Sequence, residues 1–510
     1  MKQHFQSGLN VPLLPVFFLL VWAWGGIYYA DVLRMAREES FWVADTNQMR
    51  FLLDQPFGML WYVGRMLLQT ARYPWMAALC LAALLTTGSA LTNYLLPRRS
   101  VWQGLKWLPA LSYMGWMSYQ GLDLFFETET GRLMGLPLLG VALLAAIGLL
   151  KKAFMYRKQT CIPPTGHRHQ KLWQVSLWVV GLTAIIGFTE IKRPYVRVIS
   201  GMMVAQKEQD WERIIRSARA HAQLSNRPMA AYYAIALGQT GQIGERLYDI
   251  RLDFDPIHLH GWNGSESGTL NLYQAECNFY AGLVEPAYHY VYEKMTLSGP
   301  TVRALELMVK CALLREEWAL ARKYLRILSD VPFEKRFCKQ YGSMVGHDEQ
   351  INQDSELAAV RALEPTYNLF ENHLQQPVFI GYNLTLQQGR SPQALMNSLA
   401  VCLYAKKLPE FAARLTPFYG TTPPENVADG ILLATPKQRQ LEGKFNGLDL
   451  RGTQLGHFMQ DIQPYLKERD KHAASLFEQY KGYYPYYYIF GNLKATKSKP
   501  DVKPSHGKVN

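Results

Sequence analysis

KKAFMYRKQTCIPPTGHRHQK, residues 151–171, runs directly into LWQVSLWVVGLTAIIGFTEI, residues 172–191, and this junction decides how the chain is laid out. Before it the sequence is a series of apolar runs. After it come about three hundred residues of amphipathic helical pattern. The basic segment cannot follow the apolar run into a bilayer, so the large C-terminal part must lie on the face opposite residues 151–171.

Charge supports that division. The 510 residues carry a formal charge of +13, which for a soluble protein would point to nucleic acid. The excess is unevenly placed, however. Residues 1–191 hold 16 basic and 9 acidic side chains, residues 192–490 hold 33 and 31, and residues 491–510 hold 5 and 1. The large folded part is nearly neutral. The positive charge sits at membrane flanks and in a tail, which excludes a nucleic-acid surface as the reading of the whole chain.

Five spans are expected, at Pro12–Ala30, Pro74–Leu96, Leu105–Tyr119, Met134–Leu150 and Leu172–Thr189. The third is short and is interrupted by Pro109 and Gly115. Trp22, Trp24, Tyr28 and Tyr29 crowd the end of the first run, as rings do at a membrane–water interface. The sequence Tyr28-Tyr29-Ala30-Asp31 is a poor cleavage site, so this run reads as an anchor that is kept. With the N-terminus inside, the inner segments 1–11, 97–106 and 151–171 carry ten basic and no acidic residues. The opposite loops, 31–73 and 120–133, carry six basic and eight acidic. The retention of Lys and Arg on the cytoplasmic side favours this orientation and places the large domain outside, in the periplasm of a bacterium. Within the first outer loop, residues 51–73 have apolar groups at helical spacing. That suits a helix lying in the interface, or one packed against the bundle.

The soluble part contains no alternating strand pattern but does repeat itself. Gly282-x-Val284-x-x-Ala287 aligns with Glu316-x-Trp318-x-x-Ala321 at a shift of 34 residues, and Cys277 then falls on Cys311. Thirty-four residues is the length of a tetratricopeptide unit, two helices joined by a tight turn. Looser copies lie at Gly241-x-Ile243 and Lys406-x-Leu408-x-x-Phe411, and Trp211-x-x-Ile214 fits an opening unit. A generic helical domain with a repeating core is the competing reading. The expected fold is therefore all-α: a transmembrane bundle over 1–191, a tetratricopeptide-like solenoid over 192–490, and a basic disordered tail over 491–510.

Signals for chemistry are few. Asp255, His258 and His260 are the nearest approach to a metal site and lack a fourth ligand. His167 and His169 flank Arg168 in a basic loop and read as solvated. Among six cysteines there is no metal-binding pair at CxxC spacing. Cys277 and Cys311 occupy equivalent repeat positions on neighbouring helices, about 8–10 Å apart at the axes, and should be buried thiols rather than a disulfide. No phosphate loop, dinucleotide fingerprint or nucleophile elbow is present. No catalytic residue, cofactor or metal is assigned. The tyrosines of residues 483–488 read as a cap closing the last helix pair, with a docking surface as the alternative.

Asp31, Asp45 and Asp54 follow the first span. In this placement they resemble the catalytic acids of membrane glycosyltransferases that use lipid-phosphate sugar donors. The chain as a whole resembles a family of uncharacterised bacterial multi-pass inner-membrane proteins, a domain of unknown function. The residues that carry this resemblance are QTARYPWMAA, Gln69–Ala78, and Asp210-Trp211-x-x-Ile214-Ile215. It implies spans followed by helical repeats and implies no activity. The expected function is a scaffold or assembly factor of the cell envelope with a protein partner on the solenoid. A membrane enzyme of glycan or lipid processing is the alternative.

Overall fold

A computed structural model describes residues 13–96, 101–121, 129–155, 167–224, 226–252, 275–364 and 391–491. Every regular element among them is helical. The chain divides into two compact units. One comprises residues 1–200 with 300–303 and 326–338, and the other comprises 201–299, 304–325 and 339–510.

In the first unit two helices are long and apolar enough to cross a bilayer, α5 (Pro74–Leu95) and α7 (Arg132–Met155), the latter over Arg132–Ala153. Each spans about 30 Å at 1.5 Å per residue. The first apolar run behaves differently from expectation. Helix α1 (Leu13–Ala23) passes through a π-helical turn, Trp24–Tyr28, and then bends by 66° into α2 (Ala30–Glu38). That bent pair is a third candidate span. The expected third span, Leu105–Tyr119, is a 3-10 turn, Val101–Trp107, followed by the 13-residue helix α6 (Leu108–Gln120). Its Pro109 lies in the first turn, so the regular helix starts late. About 20 Å of helix falls short of the hydrocarbon thickness. The expected fifth span lies inside the 26-residue α8 (His167–Lys192), where the side chains of residues 167–176 are outside the described set.

Residues 51–73 were expected as one amphipathic helix and form two. Helix α3 (Thr46–Leu53) ends at Asp54, and Phe57, with φ 61°, turns the chain into α4 (Gly58–Leu68). Helix α4 lies against α7 so closely that a Cβ at Gly64 would sit 2.1 Å from the Gly131 carbonyl oxygen. Small residues permit this approach, as they do between membrane helices. Of the two readings of this segment, the structure has the packed helix, with Phe51 and Phe57 still about two-thirds exposed at its break.

The second unit is organised by a recurring turn. Gln209, Gly241, Gly282, Glu316 and Lys406 have φ of 56°, 73°, 82°, 60° and 57°. After each, the next N–H donates to the carbonyl five residues back: Asp210 to Ala205, Gln242 to Leu237, Leu283 to Asn278, Glu317 to Ala312, and Lys407 to Cys402, all at 2.8–2.9 Å. This is the long bond of the left-handed helix cap, which satisfies a carbonyl the helix end would leave without a partner. A new helix then starts two residues on, at Trp211, Ile243, Val284, Trp318 and Leu408. Three residues further, Ile214, Ala287, Ala321 and Phe411 are fully buried, while the second copy departs with Arg246. The turn residues singled out by self-comparison, Gly241, Gly282, Glu316 and Lys406, are therefore the left-handed caps.

Candidate functional site

The first loop is the seat of chemistry only under the alternative, enzymatic reading, and there the three aspartates fall into different settings. Asp45 is the N-cap of α3, its Oδ2 accepting from the N–H groups of Asn47 at 3.0 Å and Gln48 at 3.2 Å. This is a structural role, since it satisfies two donors of the first helical turn. Asp54 is an exposed C-cap residue, and Asp31 lies in the first turn of α2.

The buried charges of the first unit are others. Arg37 is fully buried, with Nη1 3.1 Å from Glu38 Oε1 and 2.6 Å from Glu334 Oε1, while Nη2 donates to the Pro332 carbonyl at 2.7 Å. Arg303 Nε stands 3.9 Å from Glu39 Oε1, and Arg72 Nη1 3.9 Å from Glu38 Oε1. Three guanidiniums meet three carboxylates, so the charges are internally balanced. Such a set specifies one arrangement of the segments that carry it and leaves no charge to spare for a substrate. Sequence reading missed it because Glu334 and Arg303 are about three hundred residues from Arg37.

The second unit has its own buried network, centred on Glu356. Its Oε1 accepts from Tyr280 Oη at 2.5 Å and Lys310 Nζ at 2.7 Å, and its Oε2 from Tyr341 Oη at 3.1 Å. Tyr280 Oη also accepts from Gln206 Nε2 at 2.7 Å. Burial pushes the Glu356 carboxyl up. The Lys310 ammonium and the two hydroxyls outweigh it and hold the group below the usual carboxylate range. Burial likewise opposes the Lys310 charge, but Glu356 holds its ammonium above the ordinary lysine value. Both groups are locked in their charged forms, which suits structure and not proton transfer near neutrality.

One concave feature of this unit is a cleft of about 910 Å³ formed by the turn at 405–407, residues 466–471 and the end of the helix Tyr484–Phe490. Five cations line it, Lys406, Lys407, Lys467, Arg469 and Lys471, against two acids, Glu468 and Asp470. Lys406 is the recessed member. Its Nζ donates to the Gly491 carbonyl at 2.6 Å and lies 5.2 Å and 5.9 Å from the ring centroids of Tyr487 and Tyr488. Burial, and then the charge of Arg469, lower its pKa to about 8.

The tyrosine run is a helix, Tyr484–Phe490, and the hydroxyls of Tyr484 and Tyr487 reach not the last helix pair but an earlier one, at 392–413. Tyr484 Oη donates to the Leu403 carbonyl at 3.1 Å and Tyr487 Oη to that of Tyr404 at 2.8 Å. Both carbonyls belong to the end of helix Pro392–Tyr404, where intrahelical partners run out. Cys277, Cys311 and Cys402 are buried free thiols, and burial raises the pKa of each, Cys402 to about 11. Asp255, His258 and His260 lie outside the described residues, as do the side chains of His167 and His169. Among the described residues no group of three His, Cys, Asp or Glu is placed to hold a metal ion.

These observations define a class: an all-helical chain with two or three segments able to cross a bilayer, and capped helix pairs beyond them. The model of a family of unknown function, DUF6057, matches residues 123–491, and the chain belongs to that family. The match takes in Asp210–Ile215 and begins beyond Gln69–Ala78. No curated protein and no solved structure matches the chain.

Proposed function

We propose that the chain is a multi-pass protein of the bacterial inner membrane. Its N-terminus is cytoplasmic, and its periplasmic, tetratricopeptide-like helical domain serves as a protein-binding scaffold or assembly factor for an envelope complex. The observation that carries this reading is the series of left-handed caps. Five helix–turn–helix junctions share one backbone geometry, and repeated junctions of this kind stack helix pairs into extended surfaces that hold peptides and protein partners. The balanced Arg37 set and the locked Glu356 network are in keeping with a structural role for the buried charges. Apolar helices α5 and α7, with ten basic residues and no acids on the inner segments, support the membrane placement.

A membrane-impermeant thiol reagent on intact cells tests the topology. In a background without native cysteines, Ser343→Cys on the helical domain should label and Lys152→Cys should not. A photocrosslinker on the exposed helix faces of residues 318–329 should then give a discrete protein adduct. Labelling at 152 and not 343 would overturn the orientation. Correct labelling with no protein adduct from any position would overturn the scaffold.

A further inference from the structure

The cleft at Lys406 is not accounted for by a scaffold. Its seven charged lining residues sum to +3, and among the described residues a single ion pair links them, Lys471 Nζ to Glu468 Oε1 at 2.9 Å. Arg469, which is exposed, and the half-buried Lys406 line one cleft with no carboxylate bonded to either among the described residues, and the charge of Arg469 acts directly on Lys406. Like charges gathered around a recess are unfavourable unless an anion joins them. The helix Arg469–Tyr480 begins in the cleft wall without a side-chain cap, so the positive end of its dipole adds to the same sign. Tyr488 and Leu466 supply apolar surface beside the cations. A volume of this size admits a small organic molecule and exceeds what a lone ion needs.

We propose that this cleft is a binding site for a phosphate-bearing ligand, with Arg469 as the forked donor to its oxygens and Lys406 as the recessed point charge. Arg suits this role because its planar fork matches two phosphate oxygens at once, while Lys acts as a compact charge on the same group. The phosphate comes either from a soluble phosphate compound or from a phospholipid headgroup. The site is independent of the scaffold reading, and either can fail alone.

The test uses the full chain in detergent, at constant ionic strength. At pH 8 a lysine titrating near 8 has about a hundredfold more free amine than an ordinary lysine, so limiting acetic anhydride should mark Lys406 first, as read by peptide mass spectrometry. Pyrophosphate should protect Lys406 and leave exposed lysines outside the cleft unaffected. In Arg469→Gln the concentration giving half protection should rise about tenfold, as expected for loss of a charge-assisted bond, with thermal unfolding unchanged. A parallel arm replaces pyrophosphate with phosphatidylcholine vesicles containing phosphatidic acid. Protection by pyrophosphate alone supports the site and assigns it to soluble phosphate compounds. Protection by the vesicles as well supports it and assigns it to a headgroup. No protection by either, or equal protection in Arg469→Gln, would overturn the proposal.

Discussion

Asp429 is fully buried on the helix Glu425–Ala434, with Arg451 Nη1 3.4 Å away and Glu425 sharing that guanidinium. Burial pushes its carboxyl up to about 7; Arg451 and the Tyr484 N–H pull the other way without prevailing. The native state thus holds a proton that the unfolded chain releases near pH 4, and stability is lost as pH rises between about 4 and 7. The slope is at most about 1.4 kcal/mol per pH unit for one proton. Asp429→Asn should flatten that part of the stability–pH curve, which thermal unfolding across the range would record. Glu356 has the opposite sign. Its pKa is held down, so its contribution is present above the unfolded carboxylate value and is lost as pH falls through the lowered one. Removing one partner of such a buried pair costs about 3–5 kcal/mol. Lys310→Met should therefore lower the unfolding free energy by that order, whereas joint replacement of Lys310 and Glu356 by Met and Leu should cost distinctly less.

At the scale of elements, the left-handed caps set the junctions, and they differ in how well their residues suit them. Gly282 has no alternative. Its φ is 82°, and a Cβ there would meet the Leu363 carbonyl carbon at 2.4 Å. Gly282→Ala should cost about 2 kcal/mol or more through strain and overlap. Glu316 occupies the equivalent position at φ 60° and is exposed. A side chain in this region costs about 1–2 kcal/mol, against about 0.5–1 kcal/mol of extra chain entropy lost by glycine. Glu316→Gly should therefore stabilise by up to about 1 kcal/mol in denaturant unfolding. A loss of stability would mean that the Glu316 side chain makes a contact beyond its cap role. The repeat was legible because the motif of turn residue, bulky residue and small residue is local, and its hydrogen bonds close within six residues. The break of residues 51–73 at Phe57 was missed because apolar spacing continues across it, although Asp54, Pro56 and Gly58 mark a turn there.

For the whole molecule, the units do not follow chain order. Residues 300–303 and 326–338 belong with the first unit, where Val302 N–H donates to the Ser40 carbonyl at 3.1 Å and Phe333 meets Tyr73 edge-on at 5.9 Å between centroids. Breaking the Arg37–Glu334 contact should therefore loosen the first unit although Glu334 lies far along the chain. Glu334→Gln should cost about 3 kcal/mol or more by leaving Arg37 short of a buried counter-charge. Hydrogen exchange should show the added opening around residues 30–40. Exchange altered only within residues 339–364 would contradict the assignment of Glu334 to the first unit.

The sequence by itself determined the helical class, the apolar segments and the repeated turns of the second unit, because each depends on neighbours a few residues apart: periodicity, a run of apolar side chains, a residue that tolerates positive φ. It also pointed to buried thiols, which the fold contains. Only the tertiary structure decided which charges are interior. Arg37 meets Glu334, Lys310 meets Glu356 and Lys406 faces Arg469 across gaps of dozens to hundreds of residues, and a charged side chain written in a sequence carries no mark of whether its partner is water or a carboxylate. Of the first-loop aspartates, Asp45 and Asp54 cap the two ends of one helix and Asp31 lies in the first turn of another. The cleft could not be read in advance, because its recess and its gathering of cations exist only once three separated segments meet.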